Sequence, residues 1–137
     1  MDANELYEIA NKNNIRTHFE PLQKDGAVVF FNNKFNIILS RKVLNSGIKE
    51  KETLAEEIAH CLTGTVYHFS TVDTGLGRLS ISKAERTARQ YASTLLVPLD
   101  ELKSLLNLPT YEIADEFNVS EKTVLTAIEY YKLKGLL

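Results

Sequence analysis

Aromatic and β-branched residues crowd into a single stretch, Ile15 to Ser40, and this concentration restricts the folds open to the chain. The stretch reads as three short strands, near Ile15–Phe19, Ala27–Phe31 and Phe35–Leu39, the last two joined through Asn32-Asn33-Lys34 as a hairpin. The rest reads as helix or loop. Asp2 is placed to cap a first helix, about Ala3 to Lys12, with Leu6, Ile9 and Ala10 on one face. A long helix should run from about Lys49 to Leu62, ended by Thr63-Gly64. Residues Thr65 to Leu79 carry several Gly, Ser and Thr and read as an extended loop. Ser82 then caps a helix to about Val97, where Pro98 stops it, and Pro98-Leu99-Asp100-Glu101 can open a short next one. Two further helices, about Thr110–Phe117 and Ser120–Lys134, are split by Asn118-Val119. Helix, small sheet, then helices is the order of an α+β domain.

With 137 residues the chain suits one domain with a real core. Its net charge of -2 gives no global basic field for nucleic acid or anionic lipid. Cys61 is alone, which rules out an internal disulfide and fits a reducing compartment. The start, Met-Asp-Ala-Asn-Glu, is acidic where a signal peptide is basic, and no apolar run approaches the roughly 20 residues of a membrane helix. The expected location is the cytoplasm, with no membrane partner.

On a wheel of about 100° per residue, Leu54, Ala55, Ile58, Ala59, Cys61 and Leu62 share an apolar arc. Glu56 and His60 stand on the opposite side, one turn apart, with Glu57 about a quarter turn away. Positions i and i+4 can aim two ligands at one ion, and the residue after the first ligand can reach a bound water. In H-E-x-x-H that residue is the general base. Here the pattern is E-E-x-x-H, a weak signal by itself, and on this helix alone a solvated face is the better explanation. The next helix bears on the choice. Its apolar arc holds Ile81, Ala84, Ala88, Tyr91, Ala92, Leu95 and Leu96, and Glu85 falls inside it. A carboxylate on a buried face needs a cation or strong donors. A metal meets that need, and so does Arg89, one turn on; both readings of Glu85 stand.

Leu54-Ala55-Glu56-Glu57-Ile58-Ala59-His60, followed by Glu85-Arg-Thr-Ala88-Arg-Gln-Tyr91-Ala92-Ser-Thr-Leu95-Leu96-Val-Pro98, resembles the ImmA/IrrE metallopeptidases. Their signature is H-E-x-x-H on one helix and E-x-x-A-x-x-F-A-x-x-L-L-x-P on a later one. The resemblance covers nearly the whole chain and implies a zincin-like minimal domain over residues 1–137. Its core would span 1–98, with a helical, helix-turn-helix-like segment over 99–137. It implies Glu57 as catalytic base and His60 and Glu85 as metal ligands, with Glu56 where the family has its first histidine. One imidazole and two carboxylates form a harder, more anionic site, less selective for zinc over manganese. The bound water is then less acidic. The expected cofactor is zinc, with manganese or no metal as the alternatives.

The resemblance also implies a phage or mobile-element protein acting on a helix-turn-helix repressor. Tyr67 and His68, in the loop after the motif helix, are the nearest auxiliary donors, and His68 can instead replace the missing imidazole. His18, beside a strand, is structural or exposed, and Cys61 is a small core residue. A pseudo-peptidase that grips its repressor without cutting is the second reading. A DNA-binding regulator is the third, because Ile113–Ser120 followed by Thr123-Val124 resembles a helix-turn-helix. From Asn107 to Leu137, however, Lys122, Lys132 and Lys134 face Glu112, Asp115, Glu116, Glu121 and Glu129, an acidic balance that favours scaffold or protein docking.

Overall fold

The structure is a computed structural model that describes the backbone of residues 1–64 and 75–137, and side chains outside 75–82. Helix α1 spans Ala3–Lys12, and the Asp2 side chain accepts the Glu5 N–H at 2.9 Å. That bond satisfies one of the amide donors a helix start leaves without a partner. Strand β1 is Arg16–Glu20, β2 Gly26–Phe31 and β3 Lys34–Ser40, so all three expected strands form within one residue of the expected bounds. Asn32 and Asn33 both take positive φ, 53° and 58°, giving a two-residue hairpin in which Phe31 pairs with Lys34. Asparagine tolerates that conformation better than most side chains, which is why the turn falls there.

The sheet is mixed. Its order is β1-β3-β2, with β3 antiparallel to β2 and parallel to β1. Ile37 and Leu39 of β3 are completely buried, with Leu6 of α1 and Val43 of the 3-10 turn Arg41–Val43 in the same core. Strand β2 is an edge, and Val29, Phe30 and Phe31 near its end are exposed.

Helix α2, Ile48–Thr63, lies against the sheet and buries Leu54, Ala55, Ile58, Ala59 and Cys61. Leu62, expected on the same arc, is instead exposed. Gly64 ends the helix at φ 70°, its N–H donating to the His60 carbonyl, a left-handed cap that glycine adopts at no steric cost. Helix α3 runs over Gly75–Leu96, starting eight residues before the Lys83 that a Ser82 cap implies. Gly75–Leu79, read from sequence as loop, is therefore helical. Gly75 and Gly77 oppose helix locally, but extending an existing helix adds one hydrogen bond per residue and needs no new nucleus. Tyr91, expected on the apolar arc of α3, is exposed, whereas Ala88, Ala92 and Leu96 are buried.

Helices α4 (Leu99–Lys103), α5 (Thr110–Phe117) and α6 (Glu121–Leu133) complete the chain, which is α+β as the residue pattern indicates. Two adjacent residues of α2 hold α5 and α6. The Lys51 ammonium, 5% exposed, donates to the carbonyls of Phe117 (2.8 Å) and Asn118 (3.2 Å) at the end of α5. One Glu52 oxygen accepts from Ser120 N and Ser120 Oγ, both at 2.9 Å, and from Thr123 Oγ1 at the start of α6. A cation thus meets a helix C-terminus and an anion a helix N-terminus, the favourable sense of both dipoles. Burial still pulls the Lys51 pKa below its ordinary value, opposed by Asp2, Glu52 and Glu5. Among the described residues no helix is long and apolar enough to cross a membrane.

Candidate metal centre

Helix α2 turns Glu56 and His60 toward α3, one helical turn apart. This side of α2 is covered rather than solvated: His60 is 5% exposed and Glu56 half-buried. Helices α2 and α3 pack on one another more extensively than any other helix pair. Buried alanines on both, Ala55 and Ala59 against Ala88 and Ala92, leave room for a close approach. Glu85 projects from α3 into the same space, its side chain 29% exposed, with Oε1 3.7 Å from His60 Nε2.

One ligand atom each from Glu56, His60 and Glu85 lies within 4.8 Å of the other two. Donors held about 2.0–2.2 Å from a shared tetrahedral ion stand roughly 3.4 Å apart, so a small contraction closes this set around a cation. The donors present therefore fit a metal. The ion-pair reading of Glu85 also has its geometry. Arg89 Nη2 lies 4.0 Å from Glu85 Oε2, and Arg89 Nε lies 3.9 Å from Glu56 Oε1. That second contact was not foreseen, since Glu56 and Arg89 belong to different helices.

Carboxyl groups crowd the centre. Burial raises the pKa of Glu56, helped by a hydrogen bond to Glu85 and by its charge, and opposed by Arg89 and Lys122. The Glu57 carboxyl is pushed up to about 8, first by burial and then by the charges of Glu56 and Glu85, with Lys24 opposing. A divalent cation at the three donors would relieve each of these repulsions.

Glu57 backs onto the sheet. A Cβ built on Gly26, the first residue of β2, would meet Glu57 Cγ at 3.1 Å, Thr53 Cγ2 at 3.1 Å and Leu39 Cδ2 at 3.3 Å. A side chain there would require these neighbours to give by a few tenths of an ångström, so glycine suits the close approach of the strand to the helix carrying Glu57. Gly26→Val should therefore destabilise the chain by about 1–3 kcal/mol, measured by urea denaturation, because overpacking forces strand or helix to shift. An unchanged midpoint would show that the neighbours yield freely.

The other residues singled out from sequence stand apart. Cys61 is buried, and burial followed by the Glu57 charge raises its thiol pKa to about 12, which leaves it inert as a nucleophile. His18 is exposed on β1, its Nε2 3.2 Å from Asn36 Oδ1. Tyr67 and His68 lie outside the described residues. Lys51, Glu52 and Gly26 went unremarked in the sequence.

No curated protein and no solved structure gives a significant match to the chain. The sequence profile of the M78 peptidases, described as the IrrE N-terminal-like domain, matches residues 10–129. That span takes in the sheet, both helices of the centre and the first nine of the thirteen residues of α6. A metallopeptidase family implies a metal cofactor, and Glu56, His60 and Glu85 form a group able to hold one. With the match extending over most of its length, the chain belongs to the M78 peptidase family and carries that family's metallopeptidase-like domain.

Proposed function

We propose that this protein is a metal-dependent endopeptidase that cuts a helix-turn-helix repressor, with Glu56, His60 and Glu85 as ligands and Glu57 as general base. The convergence of one imidazole and two carboxylates from neighbouring helices, in a family of metallopeptidases, carries the reading. Zinc is the proposed metal, with manganese favoured next by the second carboxylate. The chemistry a bound metal supplies is Lewis-acid polarisation of the scissile carbonyl and of a water. Glu57 takes a proton from that water and hands it to the leaving amine. The repressor substrate, a phage or mobile-element origin and a cytoplasmic site of action are supported by the resemblance of the two motif helices to the ImmA/IrrE proteins. Tyr67 and His68 are proposed auxiliary donors on sequence position alone.

A second reading, a repressor-binding module without catalysis, is favoured by Glu56 in the family's histidine position and by its contact with Arg89. DNA binding through α5 and α6 is disfavoured. A recognition helix contacts bases through its N-terminal residues, and here Ser120 and Thr123 are engaged by Glu52.

The proposal is tested by incubating the zinc-loaded chain with a helix-turn-helix repressor from the same source and following the products by mass spectrometry. Cleavage at a defined bond, stopped by a chelator, is the expected result. Stable binding of an intact repressor would establish the second reading instead.

A further inference from the structure

Arg89 touches two of the three candidate ligands, and nothing in the hydrolytic mechanism uses it. Its Nε faces Glu56 Oε1 at 3.9 Å and its Nη2 faces Glu85 Oε2 at 4.0 Å, so one guanidinium spans both carboxylates. We propose that Arg89 is a built-in counter-cation: it neutralises the ligand carboxylates in the metal-free protein and limits how tightly a divalent ion binds there. This rests on the reading of Glu56, His60 and Glu85 as a metal site.

The charge balance motivates the assignment. A divalent ion held by two imidazoles and one carboxylate leaves its ligand set with one positive charge. Replacing one imidazole by Glu56 removes that charge, and the Arg89 guanidinium beside Glu56 restores it. Geometry selects arginine: a planar fork can address two carboxylates at once, whereas lysine is a point charge.

Arg89 is also free to yield. Its side chain is 52% exposed, and exposed ion pairs are weak. It borders a cavity of about 170 Å³ lined also by Glu52, Ser93, Ser120, Lys122 and Thr126, into which a displaced guanidinium can turn. Among the described residues, Lys122 of α6 also acts on Glu56 and forms no ion pair with either ligand carboxylate. It serves as the control.

The test is zinc affinity, by competition with a chromogenic chelator, together with the melting temperature in chelator and in zinc, for the parent, Arg89→Met, Arg89→Lys and Lys122→Met. Arg89→Met should bind zinc on the order of tenfold tighter, because a positive charge near the ion is gone. It should melt lower than the parent in chelator but not in zinc. Arg89→Lys should fall between, and Lys122→Met should change both quantities less. A residue that merely supports the fold would lower melting equally with and without metal and leave affinity unchanged or weaker, and that result overturns the proposal. If the parent binds zinc and Arg89→Met binds it no tighter, this proposal alone fails. If neither binds zinc, the metal reading fails with it.

Discussion

Glu57→Gln should lower repressor cleavage by the metal-loaded chain roughly 10²–10⁴-fold, the ordinary contribution of a positioned general base. Glutamine keeps the size and loses the proton acceptor, so metal content and repressor binding should both survive. If repressor clearance in cells survives as well, the chain acts by grip rather than by cutting. The same substitution should move stability the other way. In the metal-free fold the Glu57 carboxyl titrates near 8 instead of 4.5, because burial and its acidic neighbours disfavour the charge. The folded state therefore holds a proton that the unfolded chain releases. The stability this contributes is fully present below pH 4.5 and is lost as pH rises through 8, at up to about 1.4 kcal/mol per pH unit. Denaturation of the chelator-treated chain between pH 5 and 9 should show this decline in the parent and a flatter profile after Glu57→Gln. Equal slopes would mean that Glu57 is better solvated than its position indicates.

The second large effect concerns the attachment of the C-terminal helices. Glu52→Ala leaves the Ser120 amide, the Ser120 hydroxyl and the Thr123 hydroxyl without their shared acceptor. Ser120 still caps α6 by accepting the Thr123 N–H, so the cost is that of three charge-assisted hydrogen bonds to one carboxylate, about 2–3 kcal/mol. Lys51→Met removes a buried ammonium but strands the Phe117 and Asn118 carbonyls, with a cost of about 1–3 kcal/mol. The two side chains meet opposite ends of one turn, so the double substitution should cost less than the sum. Melting curves together with limited proteolysis at residues 107–137 would show it. Additive losses would mean that the two contacts act independently.

Elements with local punctuation were legible in the sequence, and contacts between distant segments were not. Asp2 marked α1, and Asn32-Asn33 marked the hairpin because asparagine accepts positive φ. Strand β1 was visible, but its parallel pairing with β3 was not, since no local pattern tells a strand which edge to take. The beginning of α3 was missed because glycine and serine read as loop until helix propagation overrides them.

Glu85 is legible in the sequence because a carboxylate on an apolar arc needs a partner. Lys51 satisfies the same criterion on α2, where it falls on the wheel between Ile58 and Leu62, a position that marks a buried cation in need of acceptors. Gly26 could not be read at all. Its role is a distance between a strand and a helix, and no spacing in the sequence records it.

Metal content decides whether Glu56, His60 and Glu85 hold an ion. The purified chain, dialysed against zinc and then against metal-free buffer, should retain about one equivalent per chain, and His60→Ala and Glu85→Ala should each abolish it. A parent chain that retains no metal, or variants that retain as much as the parent, would mean that these three side chains are not ligands.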